Sequence, residues 1–152
     1  MGFEVFKALE PLDGHAVILD NSVVMRWLVA SANEEQQAYA LAIRDGLREG
    51  MQPVVPYLWI YEASHVVSRY VSSNELTLEN GTAAIRALYQ LLSVMVVKES
   101  PVELMNFAAT HNISAYDAAY ILLAKQVRAP LATLDQQMRS VATDQGVHCL
   151  GV

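Results

Sequence analysis

Short apolar runs that each end in a single aspartate are the feature that most constrains how this chain can fold. Residues 17–19 lead into Asp20, and residues 130–134 lead into Asp135. In an open parallel α/β sheet, ligands bind outside the carboxyl ends of the strands, so an acid there faces a crevice and not the core. The pattern therefore predicts that Asp20 and Asp135 share one edge of a parallel sheet.

Two further acids lie inside apolar stretches with helical spacing. Glu62 is in the middle of YLWIYEASHVV, and Asp117 is near the start of SAYDAAYILLA. Two like charges about 4 Å apart repel by roughly 4 kcal/mol at an effective dielectric constant near 20, so a cluster of acids favours a bound cation. Mg²⁺ suits such a cluster because it binds one or two carboxylates directly and keeps several waters. We therefore expect all four acids to form a divalent-metal site.

Three of these acids also have a purely structural interpretation. Asp20 and Asp135 each stand where a helix can begin, and an aspartate at that position caps the helix by accepting a backbone N–H bond. Asp117 follows Ser114 by three residues, which is the spacing of a capping box. Glu62 is too far from either end of its helix to be a cap. The joint pattern, more than any single residue, favours a shared site.

Strands and helices alternate along the chain. The predicted strands are residues 16–20, 52–55, 94–97, 131–134 and 148–150. The predicted helices are residues 23–29, 34–49, 56–71, 77–92, 101–110, 115–127 and 136–144. Such alternation implies a mostly parallel sheet with helices on both faces. The predicted fold class is therefore α/β, a three-layer α/β/α arrangement with a mostly parallel central sheet.

The length and composition are most simply those of one domain. Residues 1–15 are expected to form an irregular leader and residues 16–152 the domain, whose 53% apolar content suffices for one sizeable core. No apolar stretch approaches the roughly 18 residues of a membrane helix. The early charges, among them Glu4 and Lys7, are unlike a signal peptide. We expect a cytoplasmic protein that does not enter a membrane.

The net charge of −6 argues against broad electrostatic capture of nucleic acid, since nonspecific affinity comes mainly from basic groups. Cations held by the four acids would reverse the local field, which matters more to a phosphodiester than the surface average. A nucleic acid therefore stays open as the substrate.

Other chemistries fit the residues less well. Glu62 and His65 form a Glu-x-x-His pair of the kind found in di-iron bundles, but such a site needs two pairs. We expect His65 to be packed or to donate a hydrogen bond to a neighbouring site residue. Zinc catalysis lacks a set of His and Cys ligands. Tyr120, one helical turn after Asp117, is expected to be a core residue.

Four segments together resemble a known family. VILDNSVVMRWL, PYLWIYEASHVV, ISAYDAAYILLA and LATLDQQM are similar, in this order and spacing, to the PIN domain, and most of all to the VapC-type toxins of bacterial toxin–antitoxin pairs. The resemblance covers residues 16–152. It implies four catalytic and metal-binding acids and two supporting hydroxyl residues that orient carboxylates or waters: Asp20, Glu62, Asp117 and Asp135, with Ser22 and Thr133.

The resemblance also implies an activity. VapC-type toxins are Mg²⁺- or Mn²⁺-dependent endoribonucleases that hydrolyse RNA phosphodiester bonds, often in tRNA or rRNA, with a metal-activated water. They form homodimers, and a cognate antitoxin lays its C-terminal tail across the acidic pocket. The alternative is a catalytically inactive PIN-like scaffold or binding module, which would show no metal-dependent turnover of RNA. This chain departs from the family in its long leader and in Asn21, where Thr or Ser is common.

Overall fold

The computed structural model describes residues 15–151, so residues 1–14 of the predicted leader lie outside the described part of the chain. Within it, four parallel strands form the central sheet in the order β3-β2-β1-β4. The strands are β1 (Ala16–Leu19), β2 (Gln52–Pro56), β3 (Ser93–Met95) and β4 (Leu131–Ala132). All four strands therefore point their carboxyl ends toward the same edge.

Seven α-helices connect and flank these strands in the described residues. They are α1 (Asn21–Val24), α2 (Glu34–Arg48), α3 (Leu58–Ser72), α4 (Leu78–Leu91), α5 (Pro101–His111), α6 (Ala115–Val127) and α7 (Gln136–Asp144), with a 3-10 turn at Met25–Trp27 after α1. None of the helices within residues 15–151 is both long and apolar enough to cross a membrane.

Alternating residues of β1 divide the core into two layers. Val17 and Leu19 pack with buried residues of α1 to α4 on one face of the sheet. Ile18 packs on the other face with buried residues of α6 and α7, among them Leu123. Successive side chains of a strand point to opposite faces, so this single strand is fully buried between two helical layers. The predicted three-layer α/β/α fold is confirmed.

Local signals place the helix ends well. The Asn33 side chain accepts a bond from the Gln36 backbone N–H at 3.0 Å and so caps α2. Ser100 and Glu103 close a reciprocal capping box at the start of α5. Gly50, with a φ of 108°, follows α2 in the left-handed region that glycine adopts without strain. These ends agree with the prediction because each depends on residues close together in the chain.

Two predicted helix starts are wrong. The helix predicted from 56 begins at Leu58, because Pro56 still pairs with Met95 in the sheet and Tyr57 donates its backbone N–H to the Met95 carbonyl at 2.8 Å. The helix predicted over 23–29 begins at Asn21 and tightens into a 3-10 turn at Met25. Strand pairing and tight i to i+3 bonds override the apolar spacing at these points.

The predicted fifth strand, 148–150, lies beside β4 as expected but is reduced to a single bridge. Only an isolated parallel bridge joins Cys149 to Leu131 in the described chain. The carbonyl of Leu150 accepts bonds from the Tyr39 hydroxyl at 2.8 Å and from the Arg139 guanidinium at 3.1 Å. The backbone of the segment still bonds to β4, because the Leu131 N–H donates to the His148 carbonyl and the Leu150 N–H donates to the Leu131 carbonyl, each at 2.9 Å.

Candidate functional site

The two strand-end acids meet at the carboxyl edge of the sheet, as the sequence pattern predicts. β1 and β4 are neighbours, and the Asp20 backbone N–H donates to the Ala132 carbonyl at 3.0 Å. Asp135 follows β4 by three residues. The other two acids come from helices that start at this same edge, Glu62 from α3 and Asp117 from α6.

Two hydroxyl groups hold the carboxylate of Asp20. Its Oδ2 accepts bonds from Ser22 Oγ at 2.6 Å and from Thr133 Oγ1 at 2.8 Å, and only 7% of the residue is exposed. The hydroxyls are themselves fixed, because Leu134 donates its N–H to Ser22 and Asp135 donates its N–H to Thr133. Although Asp20 occupies the N-cap position of α1, its side chain makes no capping bond. The Asp20 carboxylate is therefore held at the carboxyl edge of the sheet and does not cap the helix.

Glu62 has one strong partner, which the sequence did not indicate. The Tyr120 hydroxyl donates to Glu62 Oε1 at 2.6 Å, and Tyr120 is completely buried. The expectation that Tyr120 is a core residue is correct for its ring but misses its hydroxyl. The available signal was its spacing, because Asp117 and Tyr120 are three residues apart and lie on neighbouring positions of one helical face.

Asp117 and Asp135 differ in whether their carboxylates cap a helix. Ser114 Oγ accepts the Asp117 backbone N–H at 3.0 Å, but the return bond from the Ser114 N–H to the carboxylate is not formed among the described residues. Asp135 does cap its helix, because its Oδ1 accepts the Met138 N–H at 2.9 Å. Asp117 is half-buried and Asp135 is exposed. Both carboxylates are therefore accessible to solvent at the carboxyl edge of the sheet.

Burial and mutual repulsion raise the pKa of three of these acids. For Asp20 and Glu62 burial is the largest cause, and the hydrogen bonds from Ser22, Thr133 and Tyr120 lower the pKa and partly oppose it. The pKa of Glu62 is raised further by Asp20 and Asp117. The pKa of Asp117 is raised by burial and then by Asp20 and Asp135. The four acids therefore share one electrostatic field.

Tyr120 is a neutral donor in this field. Burial raises its pKa far above the ordinary value of 10.0, and the carboxylate of Glu62 raises it further. The phenol therefore keeps its proton at any physiological pH. When Glu62 is ionised, its bond with Tyr120 is charge-assisted, and such bonds are stronger and shorter than bonds between neutral groups.

Among the described residues, no hydrogen bond joins His65 to any of the four acids. It is exposed on α3, so the expectation that it packs is wrong. The buried face of α3 is formed by Trp59, Ala63 and Val67, and His65 lies off that face.

The acids fit a hard cation that binds few protein ligands. No three His, Cys, Asp or Glu side chains within residues 15–151 lie close enough together to hold a metal ion as a preformed set. Mg²⁺ needs no such set, because it takes one or two carboxylates and completes its shell with waters and substrate phosphates. Described donors engage one oxygen of Glu62 and one of Asp135, and the second oxygen of each remains for another partner. An all-oxygen site of this kind suits Mg²⁺ or Mn²⁺ and does not suit zinc.

A pH dependence of stability follows from the raised pKa values. Unfolded Asp and Glu titrate near 3.8 and 4.5, and these acids bind their protons more tightly when folded. Their contribution to the free energy of unfolding is fully present below those values and is lost as the pH rises through the raised folded values. As the pH rises above about 4 without divalent metal, the wild type should therefore lose stability relative to Asp117→Asn.

Urea denaturation of both proteins across this pH range measures the effect. Added Mg²⁺ should reduce the difference between them at neutral pH. Parallel stability curves for the two proteins would contradict the electrostatic picture of the edge.

Comparison with known proteins gives consistent findings. A model of the PIN domain matches residues 17–144. Ribonuclease VapC1 of Mycobacterium tuberculosis is 30% identical over 131 residues, which cover 86% of this chain and 96% of that protein, in both strains compared.

Solved structures share the fold. PAE2754 from Pyrobaculum aerophilum aligns with a TM-score of 0.64 at 16% identity, covering 83% of this chain and 78% of that one. FitAcB from Neisseria gonorrhoeae gives 0.60 at 20% identity, covering 89% and 96%. VapBC2 from Rickettsia felis, bound to a DNA fragment from its promoter, gives 0.62 at 11% identity, covering 89% and 97%. At these identities the likeness concerns the fold alone.

Proposed function

The chain belongs to the PIN domain family, and from that membership we propose that it is a Mg²⁺- or Mn²⁺-dependent endoribonuclease, the toxin component of a toxin–antitoxin pair. Ribonuclease VapC1, at 30% identity over most of both chains, supports the ribonuclease activity. The observation that carries the proposal is the carboxyl edge itself. Four acids from four separate segments face it, and three of them have a pKa raised by burial, with a neighbouring acid as a further cause for each.

The metal ion, when bound at the four acids, would activate a water and offset the negative charge that develops on the phosphate. The chain's own residues prepare the edge for this role. Ser22 and Thr133 hold the Asp20 carboxylate in one orientation, so no reorganisation is needed when a cation arrives. Tyr120 does the same for Glu62. Asp117 and Asp135 stand nearer the solvent, where a phosphodiester approaches.

The proposal includes the partners that such an activity requires. Its substrate is RNA, with tRNA or rRNA as the expected targets, and its place of action is the cytoplasm. A cognate antitoxin would cover the acidic edge. The names FitAcB and VapBC2 denote complexes, and both structures are similar in fold to this chain. This supports an antitoxin partner here. We also propose a homodimer.

Incubation of purified protein with structured RNA tests the activity. Cleavage is expected with added Mg²⁺ or Mn²⁺, and chelation with EDTA should abolish it. Restoring the metal should restore cleavage. Absence of turnover above background with either metal would favour the inactive PIN-like scaffold.

A further inference from the structure

The guanidinium of Arg139 on α7 contacts the segment that follows β4 and joins it to parts of the chain that are distant in sequence. Its Nη2 donates to the Thr133 carbonyl at 2.9 Å, and its Nη1 donates to the Leu150 carbonyl at 3.1 Å. The guanidinium carbon lies 5.4 Å from the centroid of the Tyr39 ring, within the range of a cation–π contact. Two backbone oxygens and one aromatic ring therefore hold this half-buried side chain in place.

Arg139 makes these contacts although an acid stands one turn before it. Asp135 and Arg139 have the i, i+4 spacing at which residues of opposite charge form ion pairs on a helix. The ion pairs within residues 15–151 all involve Asp45, and Arg139 is in none of them. An ion pair with Asp135 would neutralise a carboxylate that the proposed metal ion needs. Because the described partners of the guanidinium are uncharged, the negative charge of the edge is left for a cation.

Thr133 connects Arg139 to the acids. Thr133 is completely buried, and its hydroxyl donates to Asp20 Oδ2 at 2.8 Å and accepts the Asp135 backbone N–H at 3.0 Å. The position of this hydroxyl depends on the backbone of residue 133, which Arg139 holds through the carbonyl. The planar fork of an arginine is preorganised, so it fixes two acceptors with little further loss of entropy. A shift of Thr133 would therefore disturb the partner of Asp20 and the start of α7 together.

We propose that Arg139 is a positioning residue of the metal site, which fixes Thr133 and through it the carboxylate of Asp20, and that it contacts neither the metal ion nor the RNA. The inference rests on the proposed function and adds to it a residue outside the four acids and their two supporting hydroxyls. Loss of a group that orients a metal ligand directly costs about 10- to 100-fold in metal affinity or activity. Arg139 acts through such a group, so its loss should cost about the lower value.

Isothermal titration of the metal-free protein with Mn²⁺ tests the proposal without measuring cleavage. Arg139→Lys keeps the positive charge but loses the planar fork that reaches two carbonyls, so Mn²⁺ binding should weaken about 10-fold. Arg26→Lys is the matched control, because Arg26 is also half-buried and donates to the Tyr70 hydroxyl at 2.8 Å, a bond that involves none of the four acids. The Mn²⁺ affinity of Arg26→Lys should equal that of the wild type.

Two further measurements separate positioning from contact with the substrate and from a purely structural role. At subsaturating Mg²⁺, Arg139→Lys should lower kcat and leave KM for RNA unchanged, because the interaction with the substrate is intact. Arg139→Ala leaves a space that a free guanidinium ion can enter, so millimolar guanidinium should restore part of its Mn²⁺ affinity. Arg26→Ala should show no such response. Circular dichroism verifies that each variant is folded before titration.

Each outcome decides a different part of the proposal. Equal Mn²⁺ affinities in Arg139→Lys and Arg26→Lys would overturn it, because Arg139 would then stabilise the fold alone. A raised KM for RNA with an unchanged Mn²⁺ affinity would also overturn it, since Arg139 would then contact the substrate. A wild type that binds Mn²⁺ but never cleaves RNA overturns the proposed nuclease alone, and the titrations then decide the role of Arg139. A wild type that binds no Mn²⁺ overturns both the metal site and the role of Arg139.

Discussion

Asp20→Asn is expected to reduce RNA cleavage by at least about 100-fold and to leave the melting temperature unchanged or higher. Loss of a group that only orients a metal ligand typically costs 10- to 100-fold in metal affinity or activity, so loss of a proposed metal ligand itself should cost at least the upper value. Asp20 is the most buried of the four acids, with two hydroxyl donors on one oxygen.

The unchanged or higher melting temperature expected for Asp20→Asn has a cause that is independent of the loss of cleavage. Burial raises the pKa of Asp20, which means that the folded protein disfavours its ionised form. Asparagine has the same shape and no charge, and its amide oxygen can still accept bonds from Ser22 and Thr133. Active sites commonly sacrifice stability in this way, so a variant that folds better and cleaves worse indicates a functional carboxylate.

Initial cleavage rates at saturating Mg²⁺ and thermal melts followed by circular dichroism measure the two effects. Asp144→Asn is the matched control, because Asp144 is exposed at the opposite end of α7 from Asp135. Equal cleavage by the wild type and Asp20→Asn would contradict the assignment and point to a contaminating nuclease. If Asp20→Asn is inactive and has also lost the native circular dichroism spectrum, the inactivity comes from unfolding and contradicts the expected result.

The sequence predicted those parts of the fold that depend on neighbouring residues. Ser100 with Glu103 and Asn33 with Gln36 are caps formed within three residues, and both are present in the structure. The placement of Asp20 and Asp135 at one edge follows from strand polarity alone, because parallel strands share their carboxyl ends. Alternation of strands and helices was sufficient for the layer arrangement. These inferences needed no knowledge of long-range contacts.

The parts that the sequence missed depend on residues that are distant in the chain. The bond between Tyr120 and Glu62 joins positions 58 residues apart, and the spacing of Tyr120 from Asp117 indicates its helical face but not its partner. The final strand was predicted over three residues, but only Cys149 bridges to Leu131, and the Leu150 carbonyl accepts bonds from Tyr39 and Arg139 of other elements. In both cases a side chain on another element determines the outcome, and its position is known only after folding.

Tyr120→Phe is expected to weaken Mn²⁺ binding and to lower the cleavage rate at subsaturating metal by about 10- to 100-fold. The ring of Tyr120 is fully buried and phenylalanine keeps its packing, so the substitution removes only the hydroxyl. Without that donor, Glu62 Oε1 has no partner and the carboxylate can rotate away from its single orientation. The pKa of Glu62 should also rise further, because the Tyr120 bond is what lowers it. Isothermal titration with Mn²⁺ gives the affinity, and rates over a range of Mg²⁺ concentrations give the catalytic effect.

Tyr39→Phe separates this positioning role from a merely structural one. Tyr39 is also buried and its hydroxyl also donates one bond, but to the Leu150 carbonyl and to none of the four acids. Each substitution should lower the free energy of unfolding by about 1–3 kcal/mol through the loss of a buried hydrogen bond. Only Tyr120→Phe should change the Mn²⁺ affinity, and high Mg²⁺ should restore part of its activity because the remaining carboxylates still attract the cation. Equal Mn²⁺ affinities in the two variants would show that the Tyr120 hydroxyl stabilises the fold and does not prepare Glu62 for a metal ion.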